Sequence, residues 1–284
     1  MAEIKDALNE EGVTENMSNT QTLKQRTYRQ KIKFEAKLPV IKTFKDIDFM
    51  PDMFKKFNEE EFLVHDVEIG NAGERMLIFL ANSGKEILKC SDIWCGDGTF
   101  QSTPTPFNQV YIIYGNPKGK HILPACFALL PNKEAKTYCM LMDVVCKKVR
   151  NKPKKFILDF ELGFISALKE IIPRTKLQGC FFHLKQSVYR QIQRRGLLKH
   201  YIGKSELKKA VQFFYCLAFI LKGFVSSTFK RFLSPVWQRT LPMEPEVQLF
   251  FEYLQNTYMP ETITRKKRNL DLIFPMTSGI VLKK

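Results

Sequence analysis

The chain has 284 residues, enough for a sizeable core and one or two domains. At 44% hydrophobic and 26% charged it has globular composition, which excludes a low-complexity or collagen-like chain. The formal net charge of +16 makes nucleic acid the leading partner; no apolar run is long enough to span a bilayer, so a membrane is set aside.

A soluble protein with a generally basic surface would carry the same charge. The seven cysteines are an odd number, and Cys126, Cys139 and Cys146 sit inside apolar periodic segments. That suits reduced thiols in an intracellular protein. The stretch 1–6 has neither a basic n-region nor an apolar h-region, so no secretory signal is expected. The expected location is nuclear or cytoplasmic, not secreted.

To about Thr22 the chain is polar and acid-leaning, with Glu10, Glu11 and Glu15, and reads as disordered or loosely helical. From Lys24 to Lys45 the sign reverses, giving a solvated basic face or an arm for phosphates. Phe44 to Phe62 reads as a linker with a helical turn or two. Residues 1–74 are thus expected to be a basic, disordered extension and linker. His65 is their only histidine and the first cysteine is Cys90, which rules out a Cys/His zinc module there.

The compact domain is expected from residue 75. Met76 to Ala81 reads as a strand, followed by a strand ending at Asp97. Next come Gln109–Tyr114 and His121–Leu130, in which Pro124 implies an edge position or a bulge. The period then becomes helical, with Tyr138, Leu141, Met142, Val145 and Val149 on one face and Asn132 as the candidate N-cap. A strand, Phe156–Asp159, leads to a helix bearing Phe164, Ile165, Leu168, Ile171 and Ile172, stopped by Pro173. A further strand, Leu177–Phe182, leads through His183 into a basic helix. To about Tyr258 the pattern is mainly helical, with stripes at Phe213, Phe214, Leu217, Ala218 and Leu221, then at Leu249, Phe250, Tyr253 and Leu254. The expected division is a core at 75–195, a helical insertion at 196–260, and a basic tail at 261–284 that reads as truncated.

Three meander strands followed by helix-separated parallel strands give an α/β fold, a mixed five-stranded sheet with flanking helices. Its first strand is central, and the first strand after the helix pairs with it. That places Asp97, held between Gly96 and Gly98, beside Asp159. Two carboxylates at strand ends are what a two-metal phosphoryl-transfer site requires, since magnesium-type ions want hard oxygen ligands. Asp beside Gly is also ordinary turn chemistry, so the local sequence leaves both readings open.

The longer motifs carry a resemblance. Asp97-Gly98-Thr99-Phe100 with Pro106-Phe107-Asn108-Gln109, Leu158-Asp159-Phe160-Glu161, and Cys180-Phe181-Phe182-His183-Leu184-Lys185-Gln186 resemble, in order, three blocks of Mutator-like element (MULE) transposases. The resemblance covers roughly 75 to 260. It implies a ribonuclease-H-like core of the DDE type with a helical insertion, cutting and joining DNA with Mg2+ or Mn2+. Asp97 and Asp159 match the family's first two metal-binding catalytic acids, and Cys180 and His183 a pair that supports the site. Lys185, Arg190, Arg194, Arg195 and Lys199 are the expected DNA contacts; a homo-oligomer stays open.

The chain departs from the family at the third acid. The Asn-rich block carrying the family's Glu is not found. Glu244, Glu246, Glu252 and Glu261 are substitutes in principle, and Glu134 matches an acid on the first helix of ribonuclease H enzymes. The expected protein is therefore a transposase derivative, incomplete and inactive or weakly active, with a recruited non-catalytic DNA- or partner-binding protein as the alternative. A structural zinc at Cys90, Cys95, Cys180 and His183 is a further reading of the Cys-x-x-His spacing.

Overall fold

The computed structural model describes residues 26–27, 29, 41–47, 55–69, 73–99, 102–119, 121–203, 205–220, 222–233, 235, 237 and 244–258. The acidic start, much of the basic segment before 45, Phe100, Leu221 and the basic tail after Tyr258 lie outside the described residues. The chain divides into two units, 1–47 and 48–284. In the first, the turn Phe44–Asp46 is closed by Asp46, whose Oδ2 accepts from the backbone N–H of Lys42 at 2.9 Å and of Thr43 at 2.7 Å.

The second unit is built on a mixed sheet. A small hairpin, β1 (Lys56–Phe57) with β2 (Glu60–Glu61), precedes it. The sheet strands are β3 (Leu63–Ile69), β4 (Glu74–Phe79), β5 (Ser91–Thr99), β6 (Gln109–Pro117), β7 (Leu123–Leu130), β8 (Lys155–Leu158) and β9 (Lys176–Gly179), in the order β3-β4-β7-β6-β5-β8-β9. β5, β6 and β7 form the antiparallel meander, β8 lies parallel to β5, and β9 lies parallel to β8.

The sheet has seven strands rather than the expected five, because β4, read in the sequence as Met76 to Ala81 but not counted in that sheet, and the unread β3 extend it beyond β7. β3 was hidden by its composition, since His65, Asp66 and Glu68 interrupt its apolar residues. In the fold Asp66 pairs with Arg75 across the β3–β4 ladder, at 2.5 and 2.8 Å. Pro124 sits beside a register shift between β6 and β7, the bulge its missing N–H requires.

Helices connect the strands. α1 (Asn82–Lys89) occupies a stretch that reads as a turn, because Asn82-Ser83-Gly84 is turn chemistry. α2 (Ala135–Val149) follows β7, and α3 (Leu162–Ile171) follows β8. Asn132 does not cap α2 directly. Its Oδ1 accepts from the Glu134 N–H and the Thr137 hydroxyl, bracing the turn before the helix, which Glu134 caps by position.

Side chains of one strand alternate between the two sheet faces. On one face Trp94, Tyr111, Ile113, Cys126, Ala128, Leu130, Phe156 and Leu158 join α2 and α3 in the main core. The rings of Tyr111, Tyr138, Phe156 and Phe164 pack at tilted and edge-to-face angles there, with centroids 4.6 to 5.5 Å apart. On the other face Cys95, Ile157 and Cys180 form a small cluster with Ile93, Tyr114 and Ile122.

The chain continues in α4 (Phe181–Arg194), α5 (Leu198–Tyr201), α6 (Glu206–Cys216), α7 (Lys222–Thr228) and α8 (Pro245–Tyr258). Leu184, Val188 and Ile192 of α4, Val211 and Phe214 of α6, and Phe250 and Leu254 of α8 share a second core. Phe213 and Leu249, expected inside, point outward, so both apolar stripes are narrower than the sequence suggests.

The two glycines beside Asp97 are there for space. Gly98 lies opposite Tyr111 in the ladder and Gly96 opposite Ile113, so both face the main core. A Cβ on Gly96 would lie 2.5 Å from the Tyr111 hydroxyl and 3.0 Å from the Phe156 ring; one on Gly98 would lie 2.9 Å from Gln109 Oε1. Gly96→Ala is expected to destabilise the fold by about 1–3 kcal/mol through overpacking. Tyr111→Phe removes the clashing oxygen, which has no hydrogen-bond partner. Urea unfolding of the single and double variants should therefore show Tyr111→Phe recovering most of the loss.

Candidate active site

β5 and β8 set the site. Cys95 pairs with Ile157 in their parallel register. Asp97 and Asp159 each stand two residues further on, which puts both carboxylates on the face opposite the main core. Asp97 is within β5, and Asp159 is the first residue past β8. α4 starts at the C-terminal end of β9 and brings His183 to the same place: its Nε2 lies 3.5 Å from Asp97 Oδ1. The sequence-predicted Asp97, Asp159, Cys180 and His183 thus come together.

The electrostatics follow from burial. Asp159 is held above the ordinary carboxylate range mainly by desolvation, and the Asp97 charge adds to this. The Glu161 N–H donates to Asp159 Oδ1 at 3.2 Å and, with the charges of His183 and Lys133, pulls the other way. Cys180 is the N-cap residue of α4. Burial alone would raise its thiol, but the His183 side chain and the N–H groups of His183 and Phe182 outweigh it and lower it. His183 is raised, first by Cys180, with Asp97 and Asp159 adding and burial opposing. Its Nδ1 is buried without a hydrogen bond.

Sequence reasoning gave Glu161 no role, although it stands in the quoted motif. It caps α3 by position, and its Oε1 accepts from the Tyr138 hydroxyl at 2.8 Å. Tyr138 in turn accepts from Gln109 Nε2. Burial raises Glu161, and Asp159 adds to that. The signal was available: Gln109 closes the first motif, and Tyr138 opens the apolar face of α2.

Of the other acids, Glu244 and Glu252 are engaged elsewhere and Glu246 is exposed at the start of α8. Glu244 meets His200 at 2.8 Å and Lys199 at 3.9 Å, and Glu252 accepts from Gln248 on α8. Glu134 is exposed at the start of α2, and Glu261 is outside the described residues. Among the described residues no three His, Cys, Asp or Glu side chains gather as a metal would require. The four-ligand zinc arrangement is therefore not formed. Cys90 is exposed, while Cys95 is buried with its thiol pushed up to about 12 by desolvation.

The expected DNA contacts divide. Lys185, Arg190, Arg194 and Lys199 are exposed. Arg195 instead lies over the Tyr253 ring, 5.9 Å from its centroid, with Nε buried.

The MULE transposase domain family matches residues 93–187, from inside β5 to the first half of α4. The chain carries a MULE transposase domain. Asp97, Asp159, Glu161, Cys180 and His183 of the MULE domain all fall within the matched span. No curated protein matches the chain.

His183 is expected to titrate above 6.5 in a histidine-resolved NMR titration, with Cys180→Ser lowering its pKa most and Asp97→Asn also lowering it. The protonated ring's stabilisation is then fully present below about pH 6.5 and is lost as pH rises through the elevated folded value. Stability against pH should show that loss in the parent chain and little of it in His183→Ala.

Proposed function

We propose that the chain is derived from a DNA transposase and acts on DNA through a ribonuclease-H-like core of the DDE type, with Asp97 and Asp159 holding Mg2+ or Mn2+. The observation that carries this reading is the placement of the two carboxylates two residues beyond one cross-strand pair, on one face. The match to the MULE domain and the strand order β7-β6-β5-β8-β9 support it.

The donors fit the ion class. Magnesium is held by one or two carboxylates, with water and phosphate oxygens in the remaining positions. Asp97 and Asp159 supply that number of hard oxygen ligands. When bound, the metal would polarise a phosphoryl oxygen and offset charge on the leaving oxygen. The protein's own part is orientation. The Glu161 N–H fixes Asp159 Oδ1, Tyr138 and Gln109 hold Glu161, and α4 places His183 Nε2 beside Asp97 Oδ1.

The missing convergence of a third carboxylate among the described residues favours the second reading, a DNA-binding protein without catalysis. A nuclear location agrees with either. No helix among the described residues is long and apolar enough to cross a membrane.

Nicking of supercoiled plasmid with Mg2+ or Mn2+ separates the two. The first reading expects slow metal-dependent nicking that Asp97→Ala and Asp159→Asn each reduce about a hundredfold or more. Binding without cleavage in either metal leaves the second. Both require affinity for duplex DNA to fall steeply between low and moderate salt, with Arg190→Ala and Arg194→Ala each reducing the salt slope by about 1. Affinity that is flat with salt would remove both.

A further inference from the structure

α4 carries an outward face that neither carboxylate explains. Phe182 is 37% exposed and Tyr189 40% exposed. At 100° per residue they stand about 20° apart around the helix and about 10 Å apart along it, so they form one row. His183, Arg190 and Arg194 form a second row beside it by the same geometry. The buried residues Leu184, Val188 and Ile192 lie on the opposite side. The Phe182 ring meets the His183 ring at 5.5 Å, and the Tyr189 ring is supported by Tyr201 at 5.9 Å.

The charge of this face is one-sided. Phe181–Arg194 contains no Asp or Glu. Among the described residues no ion pair engages Lys185, Arg190 or Arg194. Basic residues alone would suit the phosphates of a duplex. A row of exposed aromatic faces beside them suits bases that are out of a duplex, because stacked and paired bases present no free π-face.

We propose that this face of α4 docks an unpaired DNA strand, with bases stacking on Phe182 and Tyr189 and the sugar-phosphate chain following Arg190 and Arg194. The basic row begins at His183, 3.5 Å from Asp97, so the docked strand runs away from the carboxylates along α4. The inference deepens the DNA-acting reading and rests on it, but it requires no cleavage.

The test compares oligo(dT), oligo(rU) and a duplex binding to the full chain by fluorescence anisotropy. Phe182→Ala/Tyr189→Ala is expected to weaken oligo(dT) about tenfold or more and leave the duplex unchanged. Phe182→Trp/Tyr189→Trp is expected to retain binding. Both native tryptophans, Trp94 and Trp237, are buried, so the exposed tryptophan of Tyr189→Trp reports directly, and saturating oligo(dT) should quench it. Arg190→Ala/Arg194→Ala is expected to weaken every ligand. Oligo(dT) affinity unchanged in the double alanine variant, or no quenching, overturns the inference while duplex binding keeps the broader reading. Tighter oligo(rU) than oligo(dT) overturns the choice of DNA, and no binding of any oligonucleotide at low salt overturns both.

Discussion

The parallel pairing of β5 with β8 is the constraint on which the site depends. Side chains alternate along a strand, so pairing Cys95 with Ile157 fixes the face of every later residue on both strands. Asp97 and Asp159 are consequences of that register, as are Trp94 and Phe156 on the core side. A slip of β8 by one residue against β5 would turn Asp159 into the main core and Phe156 out of it. The cost of burying that acid, added to the loss of a large buried ring, makes the register strongly specified.

Around this pair the molecule uses position rather than added charge. The Glu161 N–H, the N-cap position of Cys180 and the turn from β9 into α4 are all backbone features. They bring His183 to Asp97, while the charge of Lys133 also acts on Asp159. The result is a half-buried acidic pair with an imidazole beside it, and Lys185, Arg190 and Arg194 stand exposed along α4.

Much of this was legible in the sequence because it depends on period. The meander, the two helices after it and the strand ending at Asp159 have clean apolar spacing, and strand adjacency follows from chain order. β3 was not legible, since Asp66 and Glu68 break its pattern; in the fold Asp66 pairs with Arg75 on β4, and Val64 and Ile69 are buried. α1 was not legible because its first residues are turn formers. Arg195 reads like its neighbours in sequence, yet one helical position turns it onto Tyr253. The Gln109–Tyr138–Glu161 chain joins residues from a strand, a helix and a loop, so two of the motifs meet through a helix residue that belongs to neither.

The docking of β4 on β7 has a practical consequence for anyone cutting the gene. The family match begins at residue 93, but the strand that protects the meander's outer rim lies upstream of it. A fragment trimmed to the match would leave β7 with a row of unanswered amides and carbonyls beside apolar side chains, a template for self-association. A fragment that keeps that rim covered has to start ahead of Glu74.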